Sequence, residues 1–177
     1  MQKIHPVLAW LILMLLIVHL AVGSVTLFTG IFPGGAWLRY LFAALVAAHA
    51  VLALGKAFGR RGRLRAHFAY GRENRRYWLR VGSGCAVALL FLAHRTLWTV
   101  QTPFGVLPRS FGLGSLLVQL LFVAALAVHI LLNIRPLLLD CAIEPSRRAM
   151  RWAKTIGALL AALSVVSAAA YFMGATL

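Results

Sequence analysis

The chain has 177 residues, of which 62% are hydrophobic and 12% are charged. A soluble domain carries about 45–50% apolar and about 25% charged residues, so this composition excludes a soluble globular protein. The formal charge of +15 would suit a nucleic-acid-binding protein, but the bases flank apolar segments, a pattern typical of topology signals and of contacts with anionic lipid. We therefore expect membrane lipid and no nucleic acid among the partners.

Five apolar segments follow one another along the chain, each close to the roughly 20 residues that a helix needs to cross a bilayer. They cover residues 6–29, 37–57, 79–101, 112–134 and 152–175. The sequence therefore predicts an all-α membrane protein, with one integral domain over 1–177 and five transmembrane helices. The polar connections between the spans are too short for a soluble catalytic domain, so we expect chemistry outside the membrane to belong to partner chains.

The four connections between the spans alternate between neutral and basic. Residues 56–80 carry nine bases and one acid, and residues 135–151 carry four bases and two acids. Residues 30–36 carry no charge, and residues 102–111 carry one base. Because short basic connections stay in the cytoplasm, the sequence predicts a cytoplasmic N-terminus and a C-terminus outside.

Each of the first four spans contains one histidine, and the four are His19, His49, His94 and His129. Ionisable side chains are costly inside a bilayer and usually mark function there. At a rise of 1.5 Å per residue, His49 and His129 lie about 9–10 Å from the cytoplasmic boundary. His19 and His94 lie about 14–16 Å below the outer boundary. Depth therefore predicts two pairs, His49 with His129 and His19 with His94.

Both predicted pairs join helices that are diagonal in a four-helix bundle: spans two and four, and spans one and three. Bundles commonly hold a cofactor between facing helices, and a planar cofactor there takes one imidazole from each side. We therefore expect the first four spans to form a haem-binding bundle with two b-type haems. Iron with both axial positions filled by imidazole carries electrons rather than oxygen.

Three alternatives to haem would give the four histidines a different chemistry. Zinc would require four ligands at one depth, or added cysteine or carboxylate ligands. A proton relay usually mixes histidine with acids, whereas all three carboxylates of this chain lie in connections. A haem-free membrane scaffold, whose histidines only form hydrogen bonds between helices, is the third interpretation. His5 and His67 lie outside the predicted spans, and we expect them to be ordinary surface residues.

Arg95 lies inside the predicted third span, where a buried arginine costs about 2.5–3.5 kcal/mol on insertion scales. It needs an anionic partner, and the spans contain no carboxylate. A haem propionate is the candidate partner, and the alternative is that the side chain extends outward to the membrane surface.

Short motifs around the four histidines carry a resemblance to a known family. Residues 16–21 read LIVHLA, 27–30 read LFTG, 48–53 read AHAVLA, 77–84 read YWLRVGSG, and Val128 precedes His129. Over spans one to four, these segments resemble the five-helix, diheme cytochrome b anchors of respiratory quinol:fumarate reductases and succinate:quinone oxidoreductases. That family pairs its histidines by helix in the way that depth pairs them here.

The resemblance implies a role and a set of partners. Ser83, in the small-residue pair before Gly84, would be a further haem contact. The partners would be a cytoplasmic iron–sulfur subunit and a flavoprotein that interconverts succinate and fumarate, together with a lipid quinone, with menaquinone expected. The chain would be a multi-pass subunit of an oxidoreductase complex in the cytoplasmic membrane of a bacterium or archaeon, without the dicarboxylate chemistry itself.

One departure from the family concerns protons. Some members carry glutamates inside the membrane, whereas here Ala127 stands two residues before the fourth histidine and no span contains an acid. We therefore expect no acidic proton route through the spans. An alternative function is that of a diheme quinol-oxidising anchor of another respiratory complex, of the nitrate reductase, hydrogenase or disulfide reductase type.

Overall fold

The computed structural model describes residues 4–29, 36–58, 74–97, 99–102, 105–108 and 112–176. Their elements are α1 Ile4–Thr29, α2 Ala36–Phe58, α3 Arg75–Leu97, β1 Thr99–Thr102, β2 Gly105–Pro108, α4 Leu113–Asp140 and α5 Arg147–Thr176. Each of these five helices is long and apolar enough to cross a membrane. The prediction of five helices that are long and apolar enough to cross a membrane is therefore confirmed for this part of the chain.

The direction in which the chain crosses the membrane stays a prediction. Most of the basic connection 56–80 lies outside the described residues, and so does His67. Lys56, Arg75, Arg147 and Arg148 lie in or beside helix ends that face the same side, which we call the basic end. The opposite side carries the β1–β2 hairpin and is called the hairpin end.

The third helix ends four residues earlier than predicted. It spans Arg75–Leu97 rather than 79–101, because the strands Thr99–Thr102 and Gly105–Pro108 pair in antiparallel fashion, with Thr99 opposite Pro108 and Thr102 opposite Gly105. Proline interrupts a helix because it lacks the backbone N–H, and β-branched residues favour extended backbone. The prediction that the third span continues to residue 101 is therefore wrong.

The fourth helix continues through Pro136 to Asp140, six residues beyond its predicted end at 134. Pro136 has no N–H, so the carbonyl of Leu132 lacks the donor that a helix normally supplies. Nε of Arg80, on α3, donates a hydrogen bond to that carbonyl at 3.2 Å. A side chain of the neighbouring helix thus replaces the missing backbone donor and joins α3 to α4.

The connection from α4 to α5 is short and is defined at both ends by hydrogen bonds. Ala142 has a φ of 58°, and the N–H of Ile143 bonds the carbonyl of Leu138 at 2.9 Å, the pattern of a Schellman helix end. Ser146 then caps α5, since its Oγ accepts the N–H of Ala149 at 3.1 Å. This turn makes α4 and α5 antiparallel neighbours.

The helices form a closed ring in which each packs against its neighbours in the order α1, α2, α3, α4, α5 and back to α1. The contact between α3 and α4 is the most extensive, and that between α2 and α3 is slight. α5 packs against both α4 and α1, which touch each other at few residues. The fifth helix is therefore part of the ring, a position that the sequence analysis did not assign.

The tightest packing in the described part of the chain lies among α1, α4 and α5. The buried side chains are Pro6, Leu8, Ser24, Thr26, Val123, Ser164, Ser167 and Ala168. Small residues let membrane helices approach closely, and Ser164 and Ser167 each bond a carbonyl of their own helix. No described residue of α2 or α3 is buried, so the side of the ring formed by these two helices is packed more loosely.

Candidate functional site

Side chains from four helices meet at two levels within the ring. The hairpin-side cluster consists of His19, Phe42, His94, Gln119 and Phe122. The basic-side cluster consists of His5, His49, Ser83, His129 and Asn133. Helices α1 to α4 each contribute to both clusters, because the members on one helix are separated by close to a whole number of turns. Eleven residues separate Ser83 from His94, which places the levels about 16 Å apart along α3.

The hairpin-side cluster contains the predicted pair His19 and His94. Their ring centroids lie 6.3 Å apart, with the ring planes at 82°. α1 and α3 do not pack against each other in the described part of the chain, so these rings meet across the centre of the helix ring. His94 lies three residues before the end of α3, nearer the helix end than its predicted depth. The structure nevertheless brings this pair together.

His94 is held in place by residues of α4. Its Nδ1 lies 2.7 Å from Oε1 of Gln119, and its ring stacks on Phe122 with the centroids 5.0 Å apart. His19 contacts Phe42 at 5.5 Å. Histidines that bind metals usually hydrogen-bond through the ring nitrogen that does not bind the metal, and Gln119 provides such a bond.

In the basic-side cluster, His129 is oriented by α3 and by its own helix. Oγ of Ser83 donates to the carbonyl of Arg80 at 3.0 Å and lies 3.1 Å from Nδ1 of His129. The hydroxyl proton of Ser83 is used on Arg80, so Ser83 can accept from Nδ1 of His129, whereas the side-chain amide nitrogen of Asn133, 3.4 Å from the same Nδ1, can only donate to it. Asn133 bonds the carbonyl of His129 at 2.8 Å. Ser83 thus orients His129, and a direct contact of Ser83 with haem stays a prediction.

Gly84 provides the close approach that His129 requires. A Cβ atom at position 84 would lie 3.2 Å from Cε1 of the His129 ring, closer than ordinary van der Waals contact. At Gly82 a Cβ would meet nothing within 4 Å. The glycine at 84 is therefore a packing requirement of the histidine, whereas the glycine at 82 is not.

His49 has a different neighbour from the one that depth predicts. Its ring lies 4.8 Å from the ring of His5, tilted by 30°. His5 belongs to α1, so the prediction that it is an ordinary surface residue is wrong. Nδ1 of His49 is buried and has no hydrogen-bond partner among the described residues, which is uncommon for a buried polar atom.

The distances between histidine rings can be compared with those required by a metal ion bound between two imidazoles. Imidazole nitrogens bind metals at about 2 Å, which places the centroids of two opposed rings about 6 Å apart. The 6.3 Å between His19 and His94 fits this geometry, whereas the 4.8 Å between His5 and His49 is too short for it. The described residues contain no group of three or more His, Cys, Asp or Glu that could hold a bare metal ion. The hairpin-side cluster therefore suits a haem, whose ring nitrogens supply the other ligands.

Arg95 lies in the last turn of α3 and is exposed. The prediction that it is buried deep in the span is therefore wrong, because the helix ends at Leu97. Its guanidinium carbon lies 5.9 Å from the centre of the Tyr40 ring, within the range of a cation–π contact. This places Arg95 at the hairpin end of the bundle, and its role as a propionate partner stays a prediction.

Besides the aromatic residues Phe42 and Phe122, the structure adds four polar residues that the sequence did not assign to the site: His5, Arg80, Gln119 and Asn133. Helical spacing offers a signal for two of them. His5 precedes His19 by close to four turns, and Asn133 follows His129 by about one turn. Gln119 is an amide within an apolar span, which requires a hydrogen-bond partner there. Arg80 ends a run of bases, and nothing in that run distinguishes it from its neighbours.

Comparison with known proteins adds no relative. No protein-family model, no curated protein and no solved structure matched the chain. The resemblance to diheme anchors therefore rests on the motifs around the four histidines, and the site is interpreted from its own geometry.

Proposed function

We propose that the chain is the membrane-anchoring cytochrome b subunit of a succinate:quinone oxidoreductase or quinol:fumarate reductase. It would carry electrons through two bis-histidine b haems, held by His19 with His94 and by His49 with His129. The electrons would pass between a membrane quinone, with menaquinone expected, and a cytoplasmic iron–sulfur subunit and flavoprotein. The membrane would be the cytoplasmic membrane of a bacterium or archaeon.

The observation that carries the proposal is the opposed pair His19 and His94. These residues come from helices that do not pack on each other, yet their ring centroids lie 6.3 Å apart at the centre of the helix ring. Two imidazoles that bind one iron from opposite sides require about this separation. A pair that formed only a hydrogen bond between helices would more simply come from neighbouring helices.

Different residues of the chain would orient the haem-binding histidines and keep the haem site apolar. His94 and His129 are oriented through Nδ1 by Gln119 and Ser83. At His94, the bond to Gln119 fixes the tautomer in which Nε2 carries the lone pair. When bound, the haems would supply one-electron transfer between the two levels of the membrane. The aromatic rings of Phe42 and Phe122 keep the hairpin-side cluster apolar.

The soluble partners are proposed for the basic end. The exposed bases Lys56, Arg75, Arg76, Arg147, Arg148 and Arg151 lie there. Complementary charge steers association and fixes the orientation of docking, so a partner with an acidic face would suit this end. The same bases suit the cytoplasmic side in the predicted topology.

The test is a reduced-minus-oxidised optical spectrum of the purified protein, followed by identification of the subunits that co-purify with it. We expect a b-type spectrum with two haems per chain, and a flavoprotein and an iron–sulfur protein in the complex. Absence of a b-type band would contradict the haem assignment. Two haems with a different set of soluble subunits would instead favour an anchor of the nitrate reductase, hydrogenase or disulfide reductase type.

A haem-free scaffold is the second candidate, and specific contacts favour it. His94 and His129 both have protein partners, so both could act solely as bonds between helices α3 and α4. In that case the wild-type protein would show no b-type band, and replacement of His94 would only lower its stability. The same spectrum therefore separates the two candidates.

A further inference from the structure

We infer that Gln119 is a positioning residue that sets the reduction potential of the hairpin-side haem through its hydrogen bond to His94. The inference rests on the proposed function, since it assigns a role to one residue near a haem. Gln119 lies on α4, one turn before Phe122, and both side chains contact the same imidazole. α4 thus controls the position of a ring that belongs to α3.

The hydrogen bond determines which nitrogen of His94 can bind a metal. Oε1 of Gln119 lies 2.7 Å from Nδ1, and an amide oxygen can only accept a hydrogen bond. Nδ1 of His94 is therefore the protonated nitrogen, and Nε2 carries the lone pair. An amide among apolar side chains costs free energy unless it is hydrogen-bonded, so Gln119 is restrained to this geometry.

The bond also acts on the electronic character of the ligand. An acceptor on Nδ1–H draws the proton away from the ring and makes the metal-binding nitrogen more basic. A more basic ligand stabilises the oxidised iron and lowers the reduction potential, since hydrogen bonding around the ligands is one of the factors that tune haem. At the basic-side cluster, Nδ1 of His129 lies beside Ser83 and Asn133 instead, so Gln119 acts on one level only.

The experiment is a potentiometric titration of the purified, membrane-derived complex with three variants. Gln119→Met keeps the length of the side chain and removes the acceptor. Gln119→Glu keeps an acceptor oxygen. Leu120→Met is the control, since it introduces methionine at the next position of α4, on a different face of the helix. Optical spectra and haem content per chain are recorded for each sample.

We expect Gln119→Met to raise the potential of one haem and to leave the other unchanged. The expected shift corresponds to about a tenfold change in the reduction equilibrium, or about 59 mV for one electron. Gln119→Glu should stay at the wild-type potential or fall below it, and Leu120→Met should not change either potential. These readouts separate positioning from a general loss of stability, which would affect both haems.

The outcomes distinguish this inference from the proposed function. If Gln119→Met retains two haems with unchanged potentials, the inference is overturned while the cytochrome assignment stands. If Gln119→Met and Leu120→Met shift the same potential equally, the inference is overturned as well. If the wild-type protein shows no haem, the proposed function is contradicted, and so is the inference about Gln119, which rests on it.

Discussion

The two histidine clusters are built from the same four helices, yet they are organised differently. In the hairpin-side cluster, His19 and His94 face each other across the centre of the ring at 6.3 Å. In the basic-side cluster, three histidines lie together, and the ring of His49 stacks against His5 at 4.8 Å. Residue spacing thus brings histidines to a common level, but it does not determine which two of them face each other.

Helix packing explains the difference. His94 and His129 both lie at the α3–α4 contact, the most extensive in the ring, and each has a hydrogen-bond partner across it. His49 lies on α2, which packs slightly against α3 and has no buried described residue. The imidazole rings of His94 and His129 are therefore held at the α3–α4 contact by hydrogen bonds. His49 has no such bond and lies on α2, whose contact with α3 is the weakest between neighbouring helices.

The largest loss of haem should come from replacing single histidines. These variants test whether His49 binds a haem together with His129 or with His5. We expect His129→Leu to remove one of two haems, because it deletes an axial ligand, and His94→Leu to remove the other. His5→Leu should retain both haems. Haem content by reduced-minus-oxidised spectroscopy measures this. Loss of one haem in His5→Leu with none lost in His129→Leu would assign the basic-side ligand to His5 instead.

A smaller loss of haem is expected when a methyl group is placed against the imidazole ring of His129. Gly84→Ala places a Cβ 3.2 Å from Cε1 of His129, so the ring must move. Overpacking of this kind typically costs about 1–3 kcal/mol, and we expect weaker retention of the basic-side haem alone. The measure is haem content after washing in detergent.

The matched control for this crowding is Gly82→Ala, where the new Cβ meets nothing within 4 Å. It adds the same methyl group to the same helix and should leave both haems bound. Equal loss of haem in the two variants would show that the effect comes from the backbone of α3 and not from contact with His129.

The contact between Arg80 and the helix interrupted by Pro136 can be tested with a double-mutant cycle. Arg80→Leu leaves the carbonyl of Leu132 without its donor, which we expect to lower the free energy of unfolding by about 1 kcal/mol, within the range for bonds between membrane helices. In a Pro136→Ala background, the backbone N–H supplies that donor. The same Arg80 substitution should then cost less, as measured by unfolding in mixed micelles. Equal costs in both backgrounds would contradict the pairing.

The smallest effect concerns the turn between α4 and α5, which lies away from both clusters. Ala142 has a φ of 58°, a conformation that favours glycine. Ala142→Gly should therefore stabilise the protein by about 0.5–1 kcal/mol with no change in either haem. Ala149→Gly, within helix α5, should destabilise it by a similar amount. Thermal unfolding in detergent compares the two, and a loss of stability in both would contradict the role of the turn.

Much of the fold could be predicted from apolar runs because the bilayer requires them. The five spans, and the histidine in each of the first four, follow from composition and length alone. The predicted ends failed where a local feature intervened: the β hairpin shortens α3, and Pro136 is accommodated inside α4 rather than ending it. Both failures occur in segments where side-chain and strand hydrogen bonds, rather than hydropathy, determine the backbone.

The candidate site was predictable in its levels but not in its contacts. Depth arithmetic placed His19 with His94, and their rings do meet. Arg95 was expected inside the third span, but it lies in the last turn of α3 because that helix ends at Leu97. Gln119 and Arg80 were missed because their partners, His94 and Leu132, lie on another helix and are distant in sequence.

The sequence by itself determined that this chain crosses a membrane with helices and carries one histidine in each of four of them. Lipid demands continuous apolar helices, and helical periodicity then assigns every polar residue to a level and a face. Only the tertiary structure decided that His49 lies against His5, which residues orient the histidines, and that α5 closes the helix ring. Those outcomes depend on how far each pair of helices approaches, which small residues such as Gly84 and Ser167 and individual hydrogen bonds determine.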